Sequence, residues 1–386
     1  MKRWALFLVL LLVIAALLWH LLRGEAATAL NTAESAPVFE MRSTPMRLQS
    51  SDECAACHSE VFSEWRDSWH SKAYTDPEVQ GLSRGFQDKD CLPCHLPRPV
   101  LETGLSQRPL ERDRRHDDGV DCFTCHFAPE AASMIGRGPL GAAARSAPCQ
   151  PQESAVISSL GLCAPCHNQH KVHEEWKQTS YALPGAGFKD CNDCHMPEVL
   201  RAGGRRGRSH RYPAGHDATI LRSAASFKVE RIEDGVLHVR VSNTGSGHNL
   251  PTDERHRAVD LEATFIGVDG SRVSRRVDRY RNPYRTEFEL RNPLRSVGAT
   301  RDYEIALGAL GSLEVHVQRV APEGHPLQSI IAYPESTQIP AGEARDYRVI
   351  LPPSVVSAEF RLYYRTQPFQ ADNEAVLLHE GSVHAR

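Results

Sequence analysis

The chain has 386 residues, 41% of them apolar, which suffices for two domains with buried cores and excludes a disordered chain. A net charge of -3 argues against a nucleic-acid binder, and a mean hydropathy of -0.42 with one long apolar run excludes a polytopic membrane protein. Eleven cysteines and nineteen histidines are the part of the composition that calls for an explanation.

The chain opens with Lys2 and Arg3, an apolar run from Trp4 to Leu22 broken only by His20, and then Arg23, Gly24 and Glu25. This pattern predicts export. The run is long enough to span a bilayer, and Ala27-Thr28-Ala29 offers a cleavage site, so residues 1–29 read as a signal peptide or an uncleaved N-terminal membrane anchor. In both cases the positive end stays inside, and the rest lies in the periplasm, soluble or tethered to the inner membrane. Residues 30–51, rich in Ala, Ser, Thr and Pro, read as a flexible tether.

Ten of the eleven cysteines then fall into five copies of one pattern: Cys54-Ala-Ala-Cys57-His58, Cys91-Leu-Pro-Cys94-His95, Cys122-Phe-Thr-Cys125-His126, Cys163-Ala-Pro-Cys166-His167 and Cys191-Asn-Asp-Cys194-His195. Chance predicts far fewer than one. Cysteines three apart share one side of a helical turn and reach the two vinyl groups of one porphyrin, and the next residue turns its imidazole under the ring to ligate iron. A disulfide scaffold or a set of zinc sites would also pair cysteines, but neither explains a histidine after every second one. The sequence therefore predicts five covalently bound haem c groups, with the ten cysteines as thioether donors and His58, His95, His126, His167 and His195 as proximal iron ligands. Cys149 stands outside the pattern and reads as a loop thiol.

Five haems between Cys54 and His216 leave about 33 residues each, too few for a conventional core around every ring, so the haems themselves are expected to fill the interior. Two haem pairs look like copies of one unit. Cys54 to His58, Glu64-Trp65, Gly85-Phe86 and Asp90 to Pro97 recur as Cys163 to His167, Glu175-Trp176, Gly187-Phe188 and Asp190 to Pro197. Trp65 and Trp176 are expected to pack on porphyrin faces.

From about residue 222 the period changes to two. Leu237, Val239 and Val241 alternate with His238, Arg240 and Ser242, and Val259, Leu261, Ala263 and Phe265 alternate with Asp260, Glu262 and Thr264. Asp234-Gly235 and Asp269-Gly270 mark hairpins, and further strands fit 313–317, 347–351 and 360–364. The fold class expected is α+β and multidomain: a haem-packed, mostly helical cytochrome domain over 52–221, followed by an antiparallel β-sandwich over 222–386.

A haem that only carries electrons is closed by a second protein ligand, whereas one that binds substrate keeps the position open. The distal ligands expected are His70, His116, His173, His210 and His248, with His170, His216 and His256 in reserve. If His248 serves, its loop ties the sandwich to the haem domain. His238, His316, His325, His379 and His384 read as solvated strand or tail residues. Tyr181 stands where the duplicate unit has His70, which marks the haem held by His167 or a neighbour as the place to look for an open iron.

Cys54 to His58 with Trp65, Ser68 and His70, the stretch His116 to Cys122, Cys194-His195-Met196-Pro197 and Ser209-His210-Arg211-Tyr212-Pro213 are similar to the multihaem cytochromes related to cytochrome c-554, the electron acceptor from hydroxylamine oxidoreductase. The resemblance covers roughly residues 52–216. It implies a mostly helical domain with haems stacked in parallel and perpendicular pairs. The segment Gly247 to Thr252 and the strands after it resemble the β domain appended to many such cytochromes. Cytochrome c-554 itself has four haems and lacks that domain, so its partner does not carry over.

The function expected is an exported cytochrome that transfers electrons between redox partner proteins, with no catalytic residue. The alternative is a multihaem oxidoreductase acting on a small nitrogen or sulfur compound at one five-coordinate haem, and a third reading is a subunit of a haem filament. The negative net charge would steer a basic partner. Arg201, Arg205, Arg206, Arg208 and Arg211 form a basic cluster suited to haem propionates or an acidic partner.

Overall fold

The computed structural model describes residues 48–141, 144, 146–252, 254–283, 294–322 and 336–385. The expected signal or anchor, residues 30–47 of the tether and His325 lie outside them. Among the described residues no helix is long and apolar enough to cross a membrane.

The described residues from 48 to 224 form short helices and turns, of which Ala55–Asp67 is the longest at 13 residues. Three small strands, Phe127–Ala128 (β1), Ser133–Gly136 (β2) and Gln152–Glu153 (β3), form one sheet; Glu198–Arg201 (β4) and Arg205–Arg208 (β5) form a hairpin. The apolar clusters here are small. One gathers Ala128, Ala131, Ile135 and Val156, the other Phe86, Leu92 and Leu96. Such clusters are what a region organised around prosthetic groups requires, since the side chains need not supply the interior themselves.

Strands begin in earnest at Ala225: Ala225–Glu233 (β6), Val236–Asn243 (β7), Ala258–Gly267 (β8), Arg272–Tyr280 (β9), Thr300–Ala306 (β10), Ser312–Val320 (β11), Ala344–Ile350 (β12), Val355–Arg365 (β13) and Val376–His384 (β14). They form two antiparallel sheets, ordered β10-β11-β12-β7-β6 and β14-β13-β8-β9. Between them lies one apolar core containing Leu237, Val239, Leu261, Phe265, Val315, Tyr347, Phe360 and Leu362. The hairpin glycines take the backbone that only glycine adopts without strain: Gly235 has φ +73° and Gly270 φ +79°. Leu221, in the helix Ala218–Ala224, joins the same core, so the sandwich begins its packing before its first strand.

One strand departs from the expected alternation. Asp260, expected to face water, is fully buried, because β8 is covered on its second side as well. Arg279 Nε donates to Asp260 Oδ1 at 2.6 Å and Arg365 Nε to Oδ2 at 2.7 Å, so the buried carboxylate is paired on both oxygens. A similar buried pair joins Arg319 Nη2 to Glu343 Oε1 at 2.6 Å.

Phe360 is wholly buried and meets Phe265 edge-on at 6.2 Å. Phe360→Ala should cost about 3–5 kcal/mol of sandwich stability. A fall in the denaturant midpoint of the far-ultraviolet β signal, at unchanged haem content, is the expected result.

Candidate functional site

Each attachment motif sits at a short helical turn, and local chemistry explains why. Asp121 caps Cys122–His126 by accepting the Thr124 amide at 2.9 Å, and Asp190 caps Cys191–His195 by accepting the Asp193 amide at 3.1 Å. Pro93 and Pro165 occupy first-turn positions of Leu92–His95 and Ala164–His167, where a missing amide hydrogen costs nothing. Four of these helices end at the motif's histidine, and in the remaining motif His58 interrupts the helical backbone of Ala55–Asp67.

Backbone carbonyls then orient the imidazoles. Nδ1 of His95 lies 2.7 Å from Ala73 O, that of His126 2.9 Å from Ile135 O, and that of His195 2.7 Å from Pro213 O. The same arrangement holds His210 Nδ1 3.0 Å from Arg208 O and His248 Nδ1 3.1 Å from Asn249 O. A proton placed on Nδ1 leaves Nε2 with the lone pair that binds metal.

Three pairs of these rings face each other. His195 and His248 have ring centres 6.3 Å apart with planes 13° from parallel; His126 and His210 lie 6.2 Å apart at 25°; His70 and His167 lie 6.0 Å apart at 45°. Two imidazoles bound through Nε2 to one iron, each bond about 2 Å and each ring centre about 1.2 Å further out, would have centres roughly 6.4 Å apart. The residues present therefore fit iron held between two histidines.

Burial favours, at five of the candidate ligands, the neutral form that ligation needs. Burial, reinforced by His167, His195 and His210, takes His70 down to about 3, and burial with His126 takes His210 down to about 4. Burial also lowers His58, His126 and His195.

The thiols trace how the motifs adjoin. Cys54 touches Cys122, Cys163 touches Cys191, and Cys94 touches Cys166, while Cys125 lies near both Cys163 and Cys166. The motif of His58 thus adjoins that of His126, which adjoins that of His167, and this last adjoins those of His195 and His95.

The remaining candidates lie elsewhere. His116 stacks on Tyr74 at 5.0 Å, His173 on Trp176 at 5.9 Å and His216 on Trp69 at 3.8 Å, while His256 Nδ1 lies 2.9 Å from Glu254 Oε1. Among the described residues neither His58 nor His95 faces a second imidazole as the other three proximal histidines do. Tyr181 packs near Gly247 rather than across from His167. In the sandwich, His238 bonds Asp346 and His379 bonds Ala225 O. Burial raises the Cys149 thiol, which is not in a disulfide.

The basic cluster divides. Arg201 forms a bidentate pair with Glu64, at 3.2 and 2.8 Å, and Arg208 Nη2 donates to Asp193 at 3.0 Å, whereas Arg205, Arg206 and Arg211 are exposed. Glu64, Glu175, Tyr212 and Asn243 are site residues to which the sequence reading gave no role. Tyr212 lies between His70 (4.2 Å) and His210 (5.8 Å), and Asn243 Nδ2 donates to His248 O at 2.8 Å. The available signal was the recurrence of Glu-Trp in both duplicated units.

Residues 53–127 match the family model described as cytochrome c554 and c-prime. No curated protein matches the chain. Among solved structures the chain is similar to a penta-haem cytochrome c552 from Thermochromatium tepidum, at 16% identity and a TM-score of 0.56, over 88% of this chain and 100% of that one. The family match falls on the stretch bearing the first three attachment motifs, and the likeness in fold extends across both regions: residues 53–127 are similar to the cytochrome c554 family, within a fold like that of a multihaem c-type cytochrome with a C-terminal β domain.

Proposed function

We propose that this is a periplasmic five-haem electron-transfer protein that passes single electrons between redox partners. The observation that supports it is the set of three facing imidazole pairs at 6.0–6.3 Å, because an iron closed by two protein ligands has no place for a substrate. Bound haem c supplies one-electron exchange between ferric and ferrous iron. The chain's own residues do the rest. Ten cysteines would fix the haems in position, His126 with His210, His167 with His70 and His195 with His248 would hold iron between them, and the contacts between motifs would keep neighbouring groups close. Completing the sets at His58 and His95 would require the candidates His116 and His173 to turn away from Tyr74 and Trp176, on which they stack.

The redox partners dock by charge. The chain as a whole is negative and would steer a basic donor or acceptor, while the exposed Arg205, Arg206 and Arg211 offer a local patch for an acidic one. Export of the N-terminal segment places these encounters outside the cytoplasm.

Haem quantification and electron paramagnetic resonance of the ferric protein, with nitrite and hydroxylamine then added, test this reading. Five haems, all low spin and indifferent to both compounds, are expected. One high-spin haem that binds either would overturn it in favour of an oxidoreductase. His210→Ala should convert one haem of five to high spin while the other four keep their spectra, and an unchanged spectrum would remove His210 from the ligand set.

A further inference from the structure

The Glu-Trp dipeptide occurs once in each duplicated unit, and its two copies make parallel contacts. In the first unit the helix Ala55–Asp67 carries Glu64, whose Oε2 accepts the backbone N–H of His210 at 2.9 Å. In the second, the helix Val172–Lys177 carries Glu175, whose Oε2 accepts the backbone N–H of Asn249 at 3.0 Å, one residue past His248. His210 faces His126 and His248 faces His195. Each carboxylate thus holds the main chain of a segment that presents an imidazole to a different motif.

The rest of each carboxylate is also engaged. Glu175 Oε1 accepts Asn249 Nδ2 at 2.9 Å, and its Oε2 accepts Thr252 Oγ1 at 2.7 Å, so three donors of one loop converge on a single side chain. Glu64 accepts the Arg201 guanidinium on both oxygens. Burial alone would raise the Glu64 carboxyl, but Arg201 and the His210 amide outweigh it and hold it below the usual range. The tryptophans fix the clamps in turn: Trp65 Nε1 donates to Val120 O at 2.8 Å and Trp176 Nε1 to Lys189 O at 2.9 Å. Gly247 lets the loop close on the second clamp, since an added Cβ would lie 3.3 Å from Tyr181 and 3.4 Å from Trp176.

We propose that Glu64 and Glu175 are paired positioning residues, each a carboxylate clamp that sets the distal imidazole of a separate haem, His210 and His248 respectively. The proposal rests on the axial pairs assigned above. Neither glutamate touches iron. Each acts through the loop it grips, and Glu175 does so across the junction between the haem region and the sandwich.

The test uses the full-length ferric protein and five variants, Glu175→Ala, Glu175→Gln, His248→Ala, Glu64→Ala and the double variant of Glu64→Ala with Glu175→Ala, with free imidazole as probe. His248→Ala should give one high-spin haem that imidazole returns to low spin. Glu175→Ala should bind imidazole at that same single haem at least about tenfold faster than wild type, the equivalent of one lost charge-assisted hydrogen bond, and Glu175→Gln, which keeps one carbonyl acceptor, should fall between. Glu64→Ala should do the same at a second haem, so that the effects of the double variant add. Wild-type imidazole kinetics in both Glu175 variants, with His248→Ala high spin, would overturn the clamp while leaving the axial pair. A His248→Ala protein with all haems still low spin would overturn the axial pair and the clamp with it.

Discussion

An iron held between two histidines tolerates little error in where those histidines stand. Both rings must bring Nε2 to about 2 Å from one atom, both must be neutral, and both must pay for immobilisation beforehand. The N-terminal region is arranged to meet this demand. Four of its short helices hold one Cys-x-x-Cys-His turn each, its apolar clusters are small, and hydrogen bonds converge on the imidazoles: Nδ1 to a carbonyl in five cases, and glutamate to the following or same main chain in two.

The sandwich solves a different problem with ordinary means. It buries one apolar core between two antiparallel sheets and needs no cofactor to do so. Its buried charges are paired, as Asp260 is with Arg279 and Arg365, which avoids the cost of an isolated ion in a low dielectric. A rigid scaffold of this kind suits a loop that has to hold one histidine still. Asn243, at the end of β7, shows the coupling directly: its Nδ2 bonds both His248 O and Ile339 O, linking the ligand loop to the strand end and to the chain leading into β12.

Legibility in the sequence followed the range of the interactions. The Cys-x-x-Cys-His motifs are local and chemically explicit, and period-two strands such as β7 and β11 are read from alternation alone. Asp260 misled because its cover comes from Arg365, more than a hundred residues away. Distal histidines are harder, since the imidazole facing His195 lies in another fold region and that facing His167 precedes it by nearly a hundred residues; a list of candidates was available, the partners were not. The glutamate clamps were visible only as a repeated Glu-Trp, because a carboxylate that grips a backbone leaves no spacing rule behind.

His248 lies downstream of all five attachment motifs, on a loop between β7 and β8 of a sandwich whose last strand ends at His384. A chain emerging in order delivers every cysteine, and every proximal histidine, before the strands that steady this loop exist. On the proposed pairing, covalent attachment can therefore precede closure of the centre that His248 would complete, which waits for the strands that steady its loop. A chain truncated within the sandwich would carry all its thioether bonds and still lack one finished centre, so completion of that centre reports that the far end of the polypeptide has folded.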